Sequence, residues 1–293
     1  MPAYAYFALI AALGYGVGSL FSKQAMAGGS GLFRVTAYST WTLAVLTQPF
    51  VWTTPEPLPV ELWFQPMVAG LFFLGGQLLF ILALRTGDLS VVGPVAGAKP
   101  IINALLVSLL LGLHVSAFTW LACMMAAGAL LVLRSPNASS AHSFGRTACI
   151  TLLSALSFAL CDTCFQEWAP TWGPMRFSGL AFACSALGAL VYIPFFNPRW
   201  TALSRTARRH LLLGAAFGAV PGVLMGYALG RYGHAPEVNV IYSTRAVWAI
   251  VAVRLVGPWI GSHEGTITRA TLWRRLLAAL ILLLAVGLVV WQG

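Results

Sequence analysis

The sequence predicts an all-α integral membrane protein: ten transmembrane helices arranged as two inverted five-helix repeats around a central cavity. Three observations carry that reading: an apolar composition, a series of apolar runs from end to end, and a motif that recurs 146 residues after its first appearance. Of 293 residues, 59% are hydrophobic and 8% charged, with a mean hydropathy of +0.83. A soluble domain carries about 25% charged residues, so that class is excluded.

A bilayer core of about 30 Å takes about 20 apolar residues in a helix. Runs of that kind fall at 3–22, 33–52, 63–84, 89–112, 116–134, 146–166, 174–196, 209–230, 236–258 and 271–291. No large soluble domain is left over. The opening MPAYAYFALI has no basic residues before its apolar stretch, and that stretch is too long for a secretory leader, so it reads as a retained span. The five cysteines, Cys123, Cys149, Cys161, Cys164 and Cys184, all fall within predicted spans and imply no disulfide framework. The formal charge of +10 is spread over membrane loops, not gathered on one folded face, so it indicates topology and no nucleic-acid partner.

Ten spans put both termini on one side and divide the connections into two sets. The set after spans 1, 3, 5, 7 and 9 holds twelve basic residues, among them Lys23, Arg34, Arg205, Arg208 and Arg209, whereas the other holds only Arg176 and Arg231. The richer set is expected in the cytoplasm, which places both termini outside it. The remaining three of the seventeen basic residues, Lys99, Arg245 and Arg254, lie inside spans.

RTGDLSVVGPVAGAKP from Arg85 aligns with RYGHAPEVNVIYSTRA from Arg231 and superposes Lys99 on Arg245. Five helices per half is odd, so the second copy enters the membrane upside down. Inverted repeats are an architecture of secondary transporters, with the solute site near the midplane between the halves. The halves are expected at 1–134 and 146–293, joined by the small polar linker SPNASSAHSFG, 135–145.

Counted from Val91 and Glu237, on opposite faces, Lys99 and Arg245 each lie eight residues in, about 12 Å deep at about 1.5 Å per residue. Their depths then differ by roughly 6 Å in a core of about 30 Å, and a small anion could touch both. A charge at that depth faces protein or a wet cavity, and it usually serves a function. Arginine stays charged there, while a desolvated lysine can lose its proton, so Arg245 is expected as the fixed anchor and Lys99 as the adjustable group. Pro100, with Pro94 and Gly97 nearby, is expected to kink span 4 beside the lysine. Helical spacing puts Asn103 on the face of Lys99, and Tyr242 and Trp248 on the face of Arg245; Gln77, in the middle of span 3, is a further candidate. All four could line a pocket or pack helices together. Asp162, inside span 6, could pair with either cation as a purely structural ion pair, or carry a coupling proton.

Other signals read as membrane structure. CDTC, Cys161 to Cys164, has no second pair with which to bind metal. GYGVG, Gly14 to Gly18, follows no strand and reads as close helix packing. Lys23, Glu167 and Glu237 fall at helix ends, and Arg254 near one. His114, His142, His210, His234 and His263 are expected in linkers or at helix ends, which leaves no intramembrane catalytic constellation.

With two five-helix halves and the paired segments ALRTGDLSVVGPVAGAKPIINALLVSLLLG and ALGRYGHAPEVNVIYSTRAVWAIVAVRLVG, the chain resembles ten-helix, EamA-type members of the drug/metabolite transporter superfamily. The resemblance implies a central cavity formed by helices 1 to 4 and 6 to 9, peripheral helices 5 and 10, and alternating access. Phosphate-coupled sugar-phosphate and nucleotide-sugar branches use basic residues on helices 4 and 9, to which Lys99 and Arg245 are similar in position. The chain departs from the family in having Gly112-Leu113-His114 where Gly-Glu-Arg is common after helix 4. It also departs in the orientation of its termini.

The expected function is transport of a small anionic or zwitterionic organic metabolite. The alternative is an exporter of amino acids or amphipathic drug-like compounds with its cations structurally paired; a membrane-embedded enzyme or a scaffold fits less well. No cofactor, metal or nucleic acid is called for. The expected partners are the solute and the lipid bilayer, with a homodimer admitted, and the expected location is the bacterial inner (plasma) membrane.

Overall fold

The computed structural model describes residues 1–52, 59–86, 92, 95–132, 141–197, 199–256 and 269–292. Among them, the regular structure is entirely helical. The first half contributes α1 (Ala3–Ala27), α2 (Leu32–Trp52), α3 (Phe64–Thr86), α4 (Lys99–Leu110) and α5 (Ala117–Val132). The second contributes α6 (Ala141–Trp172), α7 (Pro174–Gly188), prolonged as a 3-10 helix over Ala189–Phe195, then α8 (Arg205–Tyr232), α9 (Ala235–Tyr242), α10 (Arg245–Val256) and α11 (Arg269–Gln292).

Among the described residues, six segments are long and apolar enough to cross a membrane: Ala3–Ala27, Phe64–Ala83, Gly145–Trp172, Pro174–Phe195, Arg205–Tyr232 and Ala235–Val256. The chain is an integral, multi-pass membrane protein. Predicted spans 2, 4, 5 and 10 correspond to α2, α4, α5 and α11; α4 and α5 have only 12 and 16 residues. Of the expected linker, 135–140 lies outside the described residues, while 141–145 forms the first turn of α6.

Packing follows a paired scheme. Helix α1 lies on α8 and α10, as α6 lies on α3 and α4; α2 contacts α7 and α8, and α11 covers α5. Lipid supplies no hydrophobic drive between helices, so close approach of small residues takes its place. Gly18 illustrates the principle: a Cβ there would come within 2.6 Å of the Gly218 backbone nitrogen on α8. Leucines such as Leu276, Leu280 and Leu283 face outward from α11, as a lipid-facing helix requires.

One end of the bundle gathers the starts of α1, α5 and α9 with the end of α6. Tyr4 stacks on His234 at 5.3 Å, Thr119 donates its hydroxyl to Glu237 at 3.0 Å, and the Ala235 N–H donates to Gln166 at 2.8 Å. Glu237 is therefore tied into the bundle by a hydroxyl, beyond the simple interfacial placement expected. Two arginines counted as loop charges are also interior: Arg34 is 2% exposed and Arg176 3%. Arg34 stands 5.2 Å over the Phe196 ring.

Candidate functional site

Both cations open a helix at a break, and the two breaks occupy matching positions in the repeat. In the first half the turn is Gly97–Ala98, followed by Lys99 as the first residue of α4; in the second it is Ser243–Thr244, followed by Arg245 as the first residue of α10. Around the second break the backbone tightens to i→i+3 bonds: Ser243 to Val240 at 3.1 Å, Thr244 to Ile241 at 3.1 Å and Val247 to Thr244 at 2.9 Å. Ser243 and Thr244 also donate their hydroxyls to the carbonyls of Asn239 and Ile241, both at 2.8 Å, adding side-chain donors to carbonyls that already accept a backbone N–H. Span 4 turns at Gly97–Ala98, beside Lys99, and Pro100 sits in the first turn of α4, where its missing N–H has no partner to lose; span 9 turns at the matching Ser243–Thr244.

Lys99 is 9% exposed and its Nζ lies 2.8 Å from Asp162 Oδ2. The same oxygen accepts from Asn103 Nδ2 at 3.1 Å and from Asn239 Nδ2 at 2.7 Å. Three helices, α4, α6 and α9, thus converge on one carboxylate oxygen. All three groups are donors, and the carboxylate oxygen accepts from each of them. Phe158 closes the far side, with the Lys99 ammonium 5.5 Å from its ring centroid. Asn239 also donates to the Ala235 carbonyl at 2.9 Å, whereas among the described residues the Asn103 side chain bonds to Asp162 alone.

Arg245 has a different setting. Its guanidinium lies 4.4 Å from the Tyr242 ring centroid and 5.2 Å from that of Tyr15, and the two rings meet edge to face at 6.1 Å. It is half-buried. Among the described residues no carboxylate lies within ion-pair distance of it. The GYGVG motif builds this arrangement: Gly16 lets α1 approach until a Cβ would stand 2.8 Å from the Trp248 carbonyl carbon, and that approach delivers Tyr15 to the arginine.

Of the expected residues, the structure brings Lys99, Asn103 and Asp162 into one cluster and Arg245 and Tyr242 into another. Asn239, Tyr242 and Arg245 follow at intervals of three residues. Trp248 packs against α1, one turn beyond Arg245. Gln77 joins neither cluster; its Oε1 accepts from Thr40 at 2.7 Å. Asn239 and Tyr15 were missed. Helical spacing from Tyr242 points to Asn239, but no local signal points to Tyr15, whose contact joins opposite ends of the chain.

Two surface grooves lie away from both cations. One, of about 430 Å³, is an apolar trough of Met125, Leu283, Leu284, Gly287, Leu288 and Trp291. The other, of about 630 Å³, includes Phe21, Arg209, His210 and Leu255. An apolar trough between peripheral helices suits lipid tails, so the buried charges mark the candidate site better than either groove does. Among the described residues, no three His, Cys, Asp or Glu side chains group as metal ligands.

Residues 3–135 match the EamA-like transporter family, which upholds the resemblance to EamA-type drug/metabolite transporters. No curated protein matches the chain. A solved crystal structure, described only as that of a protein, is similar over 98% of this chain and 97% of its own, at 16% identity and a TM-score of 0.75. At that identity the likeness shows the fold alone.

Proposed function

With residues 3–135 an EamA-like transporter segment, we propose that the chain is a secondary transporter that moves a small anionic or zwitterionic organic metabolite by alternating access. The observation that carries this reading is Arg245, a half-buried cation between two tyrosine rings with no carboxylate partner among the described residues. Such a charge within the membrane calls for a counter-anion. The N-terminal end of α10 adds its partial positive charge to that of the arginine, and broken helices aim this end at anionic solute groups in other transporter folds. Transport also accords with the match of residues 3–135 to the EamA-like transporter family.

The matching breaks before Lys99 and Arg245 and the paired packing of α1 with α8 and α6 with α3 support two inverted halves, 1–134 and 146–293. The shared end of α1, α5, α9 and the close of α6 supports ten alternating spans. With Arg205, Arg208 and Arg209 on the cytoplasmic side, both termini lie outside the cytoplasm. A cysteine placed at Arg205 should then resist an impermeant outside reagent in intact cells, and ready labelling would reverse the orientation.

The Lys99–Asp162 pair favours a second reading for one of the two cations, in which Lys99 is neutralised internally and Arg245 alone holds the solute. Tyr15, Tyr242 and Trp248 would then flank an amino acid or amphipathic compound. Counterflow in proteoliposomes across anionic, zwitterionic and cationic solutes separates these readings. Arg245→Gln should abolish transport of every accepted solute. Unchanged transport would sink the anchor role.

A further inference from the structure

We infer that Asp162 is a tethered competitor for the transported anion: it occupies Lys99 in the empty protein, and its uptake of a proton yields Lys99 to the solute. The coupling ion is then the proton, entering with the anion. This inference rests on the proposed anion-binding role of Arg245.

The geometry supplies both states of the switch. With Asp162 ionised, Lys99, Asn103 and Asn239 all donate to Oδ2. A solute anion held by Arg245 and reaching Lys99 would bring a second negative charge beside this carboxylate. Like charges sharing a site drive one of the two groups to bind a proton. The protonated carboxyl has a hydrogen to donate, and the acceptors for it are already in place. Asn103 Oδ1 and Asn239 Oδ1 are buried and accept from no described residue. An amide serves either state, because rotation about its last torsion exchanges a donor for an acceptor. Asn239 is held by its second bond to Ala235, whereas Asn103 has no other hydrogen bond to lose, so Asn103 is the amide that turns. The proton moves from water to Asp162, and the Lys99 ammonium passes unchanged from one anion to the other. Among the described residues, the titratable groups facing Asp162 are Lys99 on α4, Tyr242 on α9, and Cys161 and Cys164 on its own helix.

The test uses the full chain in lipid nanodiscs with benzenesulfonate, an organic anion that keeps its charge through the range studied. Binding that takes up one proton should strengthen as the pH is lowered, by up to about tenfold per unit. Asp162→Asn should bind the sulfonate with no pH dependence and at least as tightly as the wild type does at the lowest pH studied. A purely structural aspartate would instead weaken binding when replaced. The Lys99→Gln/Asp162→Asn double variant leaves neither member of that ion pair without its partner and should bind through Arg245 without pH dependence, which guards against misfolding of the single variant. If wild-type binding is independent of pH yet lost in Arg245→Gln, the competitor role is overturned and the anion site stands. If Arg245→Gln binds like the wild type, or neither binds, both ideas fall.

Discussion

Lys99 and Arg245 stand at the same point of two related helix breaks, yet their surroundings differ in kind. The lysine is nearly sealed and answered by a carboxylate with two supporting amides. The arginine is half-buried and flanked by aromatic faces. The difference matches the chemistry of the two side chains. An ammonium is a strongly hydrated point charge that needs a compact anion when desolvated, while a guanidinium is planar, weakly hydrated and stacks on rings. Related breaks thus place two cations alike and give them different surroundings, one paired with a carboxylate and one set between aromatic rings.

The sharpest way to break this comparison is to unpair the lysine. Asp162→Ala leaves a buried charge without its partner and should destabilise the protein by about 3–5 kcal/mol, whereas a Lys99→Met/Asp162→Leu double variant should unfold near the wild-type temperature. Thermal unfolding in detergent measures both, and equal losses would show that the charge pair is not the cause. Next in size, Gly16→Ala should force α1 off the Trp248 backbone, at about 1–3 kcal/mol for an overpacked contact. Gly128→Ala on α5, where an added Cβ meets nothing within 4 Å, is its control and should be neutral. The same Gly16 variant should weaken solute binding, because Tyr15 moves with its helix. Tyr15→Leu removes one ring from Arg245 and should reduce solute affinity by about 0.5–2 kcal/mol, read from counterflow KM, with stability little changed. Smallest is Thr40→Val, which deprives Gln77 of its donor: about 1 kcal/mol of stability and no change in KM. A shift in KM there would bring Gln77 back toward the solute path.

Much of this organisation was legible along the chain, for reasons that are local. Hydropathy exposed the spans because lipid excludes charge over any window of helical length. The 146-residue offset exposed Lys99 and Arg245 together, since a cation in an apolar run stands out without any knowledge of its neighbours. Asn103 followed from spacing on one helix. The break at Ser243–Thr244 was not legible, because both residues have ordinary helical tolerance and the i→i+3 bonds depend on how α9 and α10 are held. The charge count treated Arg34 and Arg176 as loop residues, because burial at a helix start leaves no mark in composition.

What the sequence by itself determined was a multi-pass helical protein with two equivalent intramembrane cations, because hydrophobicity and periodicity are properties of contiguous residues. Only the tertiary structure decided which cation is neutralised. Asp162 could have answered either one until α4, α6 and α9 met around it, and Tyr15 reached Arg245 only because the glycines of α1 allowed a close crossing. Partner choice for a buried charge rests on distances of about 3 Å between helices far apart in the chain, a quantity that no local pattern encodes.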